Sequence, residues 1–187
     1  RLANLPEHQQ FIHVAAAVLG RQFPITDLSA LVGQSEQAIL EALSVFQGRI
    51  IITQRGMGRF RHRDFRKVML DMTPQAVLSR LHRTAAWILE DRGAGPLEVG
   101  LHLSRAGEHD AAITPLLEGL EHLTSTGSRQ QGLKIRNRLR IHFAAVHDDP
   151  RYLQQRLQYL YLSGKTDELA DREDRAHAAD ADGVAHG

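Results

Sequence analysis

The spacing of apolar residues over the first seventy positions predicts three helices followed by a β-hairpin. Residues 7–19 place apolar side chains on one broad face, and a glycine stands where this helix should end. A short helix opened by Pro24 should close at Gly33. Ser35 is a favourable N-cap for a third helix. Four apolar residues of that third helix are expected to face inward: Ile39, Leu40, Leu43 and Phe46.

The next interval is rich in β-branched residues and glycine. Arg49-Ile-Ile-Ile-Thr-Gln-Arg55 and Arg59-Phe-Arg-His62 flank Gly56-Met-Gly58. Two extended segments around a glycine-rich turn predict a hairpin, with Gly-Met-Gly as the turn. Three helices followed by a hairpin is the element order of a winged-helix domain. We therefore expect a winged-helix domain over residues 1–72.

From residue 64 onward the pattern is helical. Thr73 and Pro74 predict an N-cap followed by a proline in the first turn of a helix. This helix should bury Val77, Leu78, Leu81, Ala85, Ile88 and Leu89. Further helices are predicted at 97–106, 109–123, 129–146 and 151–162. Antiparallel helices joined by tight turns favour a TPR-like α-solenoid arm over residues 73–165, and the polar residues 166–187 are expected to be a disordered tail.

Composition narrows the function classes. Apolar residues make up 42% of the chain and charged residues 24%, the formal net charge is +1, and cysteine is absent. These values are typical of a globular cytoplasmic protein, and they exclude a disulfide scaffold and thiol catalysis. No apolar run approaches the roughly 20 residues that span a bilayer. The chain starts at Arg1 and enters a helical pattern almost at once, so we expect a piece of a longer protein.

Catalytic motifs are absent from the sequence. It contains no GxxxxGK[ST] phosphate loop, no HExxH and no GxSxG. The 11 histidines are scattered, so neither a metal site nor an enzyme active site is expected. His82 and His102 are interpreted as packing or capping residues of the arm. Trp87 and the tyrosines at 152, 159 and 161 are expected to fill seams between helices.

A basic stretch is the clearest candidate for an interaction site. Seven basic residues lie between positions 49 and 67: Arg49, Arg55, Arg59, Arg61, Arg63, Arg66 and Lys67. On a winged helix they could grip DNA phosphates. However, the predicted third helix carries Glu36 and Glu41 and no lysine or arginine, which disfavours entry into the major groove. Nucleic acid is therefore disfavoured as a partner. The interpretation favoured instead is a solvated hairpin, or one that faces acidic groups of a neighbouring domain, with Arg55, Arg59, Arg61 and Arg63 as the candidate interaction residues.

Several short motifs, taken in order, carry a family resemblance. They are Leu5-Pro-Glu with residues 15–23, Ile39-Leu-Glu-Ala-Leu43, Arg59-Phe-Arg-His62, Arg80-Leu-His-Arg-Thr-Ala-Ala86 and Leu101-His-Leu-Ser-Arg-Ala-Gly107. Over about residues 2–123 the chain resembles the segment that follows the nucleotide-binding domain in STAND-type signalling ATPases. Those proteins fuse the ATPase to LuxR-type, adenylate cyclase or Ser/Thr kinase effectors.

The resemblance implies a regulatory role without catalysis by this segment. It implies that the winged helix packs on a nucleotide-binding domain of the parent protein, where His62 would contact the β-phosphate of ADP. The parent would bind ATP or ADP, whereas this segment would hold no cofactor of its own. The helical arm would receive a protein or small-molecule inducer. Two alternatives remain open, a winged-helix DNA-binding regulator and a plain helical scaffold.

Overall fold

A computed structural model describes residues 6–45, 48–53, 55–126 and 150. Within them the chain is mostly helical, with one small antiparallel sheet. In chain order the elements are α1 Glu7–Leu19, β1 Gln22–Pro24, α2 Ile25–Val32, α3 Glu36–Ser44, β2 Ile50–Ile52, β3 Met57–Phe60, α4 Arg63–Asp71, α5 Gln75–Asp91, α6 Pro96–Ala106 and α7 His109–Ser125.

The chain divides into two compact units, Arg1–Pro115 and Leu116–Gly187, and the boundary falls within α7. All the surfaces described below lie in the first unit. The described residues of the second unit are 116–126 and 150. They include four buried leucines: Leu116, Leu117, Leu120 and Leu123. The predicted helices at 129–146 and 151–162, the tyrosines and the tail at 166–187 fall outside the described residues.

The first three helices begin and end near the predicted signals. Helix α1 stops at Gly20, and α2 stops at Gly33, whose φ of 68° is the left-handed conformation that glycine adopts without strain. The Ser35 hydroxyl accepts a hydrogen bond from the Ala38 N–H at 3.3 Å, so the predicted N-cap of α3 is confirmed. In α3, Ile39 is buried and Leu40 is 36% exposed.

The inward orientation predicted for Leu40 is therefore wrong. Ile39 and Leu43 share one face of the nine-residue helix, and that face alone meets the core, so a neighbour one position along turns toward solvent. Phe46, also predicted to face inward, lies outside the described residues.

The sheet contains one strand more than the predicted hairpin. Its order is β1-β3-β2, and both pairings are antiparallel. Arg59 of the central strand β3 is therefore opposite Gln22 of β1 on one side and opposite Ile51 of β2 on the other. Strand β1 escaped prediction because it is only three residues long. The sequence contains one indication of this strand: Phe23 precedes Pro24, and a residue before proline favours an extended backbone.

The turn of the hairpin also differs from the prediction. Met57 and Gly58 belong to β3, and the chain reverses over Thr53 to Gly56, where the Gly56 N–H donates to the Thr53 carbonyl at 3.1 Å. Gly58 has a steric role instead. A Cβ atom at this position would lie 2.4 Å from the Phe23 ring, so only glycine lets the two strands pair at this point.

Helix α1 lies at the centre of the core and packs against α2, α3, α4, α5 and β1. Its alanines at 15, 16 and 17 are fully buried, which allows the neighbouring helices to approach closely. Aromatic residues close the core beneath the sheet: the rings of Phe23 and Phe60 are 5.8 Å apart, and those of Phe60 and Phe65 are 6.2 Å apart. Burial of each such ring contributes on the order of 2 kcal/mol.

Helix α5 shares this core with the preceding elements. Leu81 and Ala85 pack in the same cluster as the residues of α1 and α2, and α5 also packs extensively on α6. The domain boundaries proposed at 72/73 and 165/166 remain predictions. Thr73 does not cap α5 as predicted. Its hydroxyl donates to the Met69 carbonyl at 2.7 Å and so satisfies the end of α4, whereas Pro74 occupies the N-cap position.

Candidate interaction surface

The outer face of the sheet presents the residues that sequence analysis singled out. Along β3, Gly58 and Phe60 are buried and Arg59 is exposed, because successive side chains of a strand point to opposite faces. Gln22 of β1 is directly opposite Arg59 and is also exposed. The continued register places Thr53 opposite Met57, and the Thr53 N–H donates to the Met57 carbonyl at 2.9 Å.

These residues line an open groove of about 550 Å³: Gln22, Thr53, Arg55, Met57 and Arg59. The half-buried Met57 side chain adds an apolar surface to a groove that also carries two arginines. Gln22 and Thr53 add an amide and a hydroxyl, which can donate or accept hydrogen bonds. We call this set of five residues the sheet groove.

The arginines of this region are not neutralised within the described part of the chain. Arg55, Arg59, Arg61 and Arg63 are all exposed. The ion pairs found in residues 6–45, 48–53 and 55–126 involve Lys67, Arg83 and Arg92, and none involves these four arginines. The surface is therefore electropositive and open to an anionic partner.

The other three basic residues of the stretch contact groups of this chain. Arg66 is half-buried, and its Nε donates to the Ala17 carbonyl in the last turn of α1 at 2.7 Å; burial lowers the pKa of this guanidinium. The Arg49 guanidinium lies 4.9 Å from the centre of the Phe65 ring, a cation–π contact. Lys67 pairs with Asp71 one turn along α4 at 2.5 Å. The sequence alone did not separate these three residues from the exposed arginines.

His62 lies between the sheet and α4. It is exposed, in extended conformation with φ −119° and ψ 134°, and it occupies the N-cap position of α4 without a hydrogen bond from its side chain to the helix. The neighbouring Arg61 N–H donates to the Arg49 carbonyl at 2.8 Å, so backbone pairing continues up to this point. The imidazole is thus presented to solvent on an anchored backbone.

Helix α3 has the opposite charge. Glu36 and Glu41 are both exposed, and Gln37 donates a hydrogen bond to the Glu41 carboxylate at 2.8 Å. A phosphate backbone approaching α3 would meet two carboxylates and no cation. This charge distribution separates the acidic helix from the basic sheet face.

Two polar pairs with buried members connect α5 and the residue that follows it to neighbouring helices. Arg92 lies just beyond the end of α5. Its guanidinium forms an ion pair with the Asp27 carboxylate of α2 at 2.6 Å and also lies 3.6 Å from the Glu98 carboxylate. Burial raises the pKa of Asp27, and the positive charge and hydrogen bond of Arg92 partly offset that rise. This pair was not predicted, since 65 residues separate the partners along the sequence.

The second pair joins α5 to α6. The Nδ1 atoms of His82 and His102 are 3.2 Å apart, and the two buried rings meet edge to face. One Nδ1 must donate and the other must accept, so at least one ring is neutral. Burial, reinforced by the charges of Arg105 and Arg66, lowers the pKa of His102 to about 4. The predicted packing role of these histidines agrees with this geometry.

Trp87 does not fill a seam between helices as predicted. It is 61% exposed on α5, because the buried positions of that helix are Leu81, His82, Ala85, Ala86 and Leu89. The sequence pattern gave no means of telling an exposed indole from a packed one.

The described residues contain neither a candidate metal site nor a helix that could span a membrane. Among the described residues no three His, Asp or Glu side chains converge in a way that could hold a metal ion. The two cations beside the histidine pair would also oppose a metal there. Within the same part of the chain, each helix is too short or too polar to cross a bilayer.

Comparison of this chain with protein-family models, with curated proteins and with solved structures found no match.

Proposed function

We propose that this chain is a regulatory protein-interaction segment of a cytoplasmic, multidomain, ATP-dependent signalling protein. In this proposal its first part is a winged helix that latches a nucleotide-binding domain. The observation that carries the proposal is the order of elements, α1-β1-α2-α3-β2-β3, combined with the strand order β1-β3-β2. A winged helix has this arrangement, and it supports the resemblance to the segment that follows the nucleotide-binding domain of STAND-type ATPases.

The latch would act through the exposed groups at the end of the sheet. An imidazole on anchored backbone, as at His62, can donate a hydrogen bond to the β-phosphate of ADP bound by the neighbouring domain. Arg61 and Arg63 flank it and would add positive charge beside the phosphate. Release of this contact would free the nucleotide domain to change conformation.

The helices from α5 onward would form the start of the TPR-like arm. The packing of α5 on α6, through Leu89, Val99 and the histidine pair, would make these two helices the first packed helix pair of the arm. A protein or small-molecule inducer bound farther along the arm would then act on the latch through α5, which also packs on α1 and α2.

The test is ADP release from the polypeptide that carries both the nucleotide-binding domain and this segment. His62→Gln should accelerate release about tenfold, because a hydrogen bond to a charged phosphate is lost. His8→Gln, which changes an exposed histidine on α1, is the matched control and should release ADP at the wild-type rate. Equal release from all three proteins would refute the latch.

A DNA-binding winged-helix regulator is the alternative that the exposed arginines favour. It predicts association with duplex DNA that weakens steeply as salt is raised. The carboxylates of Glu36 and Glu41 on α3 oppose it, since α3 is the helix that would enter the major groove. A plain helical scaffold would instead bind its partner with no dependence on nucleotide.

A further inference from the structure

The sheet groove combines three properties. It is an open groove, it carries two guanidinium groups without carboxylate partners among the described residues, and its lining includes one apolar side chain, Met57. Arg55 lies in the turn and Arg59 in the central strand, so the strand pairing fixes the backbone of Arg59. The charge and shape of such a surface are complementary to an extended anionic segment.

The size and lining of the groove select among anions. At about 550 Å³ the groove is much larger than a single phosphate ion, and its cations are exposed, so a small free anion would be held weakly. An extended polypeptide offers carboxylates to the arginines, apolar side chains to Met57, and backbone groups to the Gln22 amide and the Thr53 hydroxyl.

Nucleic acid fits this groove less well. None of the five lining residues is aromatic, so bases would have no stacking platform. The exposed acids of α3 would also repel a long polyanion that spread beyond the sheet. A short segment with local negative charge avoids that repulsion.

We propose that the sheet groove binds an extended acidic segment of a protein partner, with carboxylates paired to Arg55 and Arg59 and an apolar side chain on Met57. This assignment deepens the proposed interaction role and rests on it, because it names the chemistry of the partner. The groove is distinct from the His62 contact, which concerns a phosphate.

The experiment measures binding of a short fluorescent peptide in which Glu and Leu alternate, with a peptide of alternating Gln and Leu as its uncharged match. Wild-type chain should bind the Glu peptide at least tenfold more tightly than the Gln peptide. Arg55→Gln and Arg59→Gln should each weaken Glu-peptide binding about tenfold, because each removes a charge-assisted hydrogen bond. Arg59→Lys should fall between wild type and Arg59→Gln, since lysine keeps the charge and loses the planar fork.

Arg80→Gln is the matched control, since Arg80 is an exposed arginine on α5 away from the lining residues of the groove. It should bind as wild type does, and circular dichroism should show that every variant is folded. Equal affinity for the two peptides, or unchanged affinity in both groove variants, would overturn the assignment. Binding of duplex DNA that depends on Arg55 and Arg59, without binding of the Glu peptide, would overturn it in favour of nucleic acid.

The two proposals fail separately. Absence of peptide binding together with ADP release governed by His62 would remove the groove assignment and leave the latch. Peptide binding that depends on the arginines, together with normal ADP release from His62→Gln, would remove the latch and leave the groove assignment.

Discussion

Arginine has two different roles on two sides of the first unit. Arg66 and Arg92 are directed inward to a carbonyl of α1 and a buried carboxylate of α2, and they connect helices that are distant in sequence. Arg55 and Arg59, on the outer face of the sheet, have no carboxylate partner among the described residues. The same side chain therefore stabilises the fold where its charge is satisfied internally, and remains available to a partner where it is not.

The largest effect should follow from breaking the Asp27–Arg92 ion pair, whose carboxylate is buried. Arg92→Leu leaves the Asp27 carboxylate buried without its cation and should lower the free energy of unfolding by about 3 kcal/mol. Arg83→Leu, within α5, is the control. Its pair with Glu108 is exposed on both sides, so the loss should stay below about 1 kcal/mol. Urea unfolding measures both values.

The same variant has a pH signature. The pKa of Asp27 is raised by burial, and removal of Arg92 would raise it further. A carboxyl with a raised folded pKa contributes stability that is present at low pH and is lost as the pH rises through that pKa. Arg92→Leu should therefore lose more stability near neutral pH than in acid. A loss that is the same at both pH values would contradict the buried-charge explanation.

The histidine pair should make the fold sensitive to acid. The pKa of His102 is about 4 in the folded chain, against about 6.5 for an unfolded histidine. As the pH falls, the unfolded state takes up the proton first, so stability is present above about pH 6.5 and declines toward pH 4 by at most about 3 kcal/mol.

His102→Gln should flatten that decline, which urea unfolding at a series of pH values would show. Part of the decline should persist, because burial also lowers the pKa of His13. A variant that keeps the full wild-type pH dependence would show that His102 is not responsible.

An intermediate effect is expected at Arg66. Arg66→Met keeps most of the aliphatic packing and removes the hydrogen bond to the Ala17 carbonyl, so the free energy of unfolding should fall by about 1.5 kcal/mol. Lys67→Met on the same helix breaks an exposed pair only and should leave stability nearly unchanged. Similar losses of stability in the two variants would show that the hydrogen bond of Arg66 stabilises α4 no more than the exposed pair of Lys67 does.

The smallest effect on stability should come from the sheet groove. Arg59→Gln removes an exposed charge that has no ion-pair partner among the described residues, so unfolding should change by less than about 0.5 kcal/mol. A loss of stability as large as that of Arg92→Leu would mean that Arg59 also stabilises the fold. The two arginines would then not differ in role. Thermal unfolding of the two variants side by side decides this.

The local signals in the sequence were sufficient for five helices of the first unit, and α4 was not predicted as a separate helix. Apolar spacing, the Ser35 cap and the glycines at helix ends depend on interactions within a few residues, and these placed α1, α2, α3, α5 and α6 close to their observed bounds. The basic stretch was also visible, because charge is readable without a structure. Leu40, Trp87 and Thr73 were misassigned, since orientation toward a neighbour depends on where that neighbour lies.

Only the tertiary structure decided how the charged residues are used. Strand β1 brings Gln22 beside Arg59 across 37 positions of sequence, and the Asp27–Arg92 and His82–His102 pairs join residues that are even farther apart or on different helices. Periodicity along the chain carries no information about such pairs, because they depend on how whole elements pack. The sequence thus determined the helices and the presence of a basic stretch between positions 49 and 67. The packing determined which charges are buried and which stay on the surface.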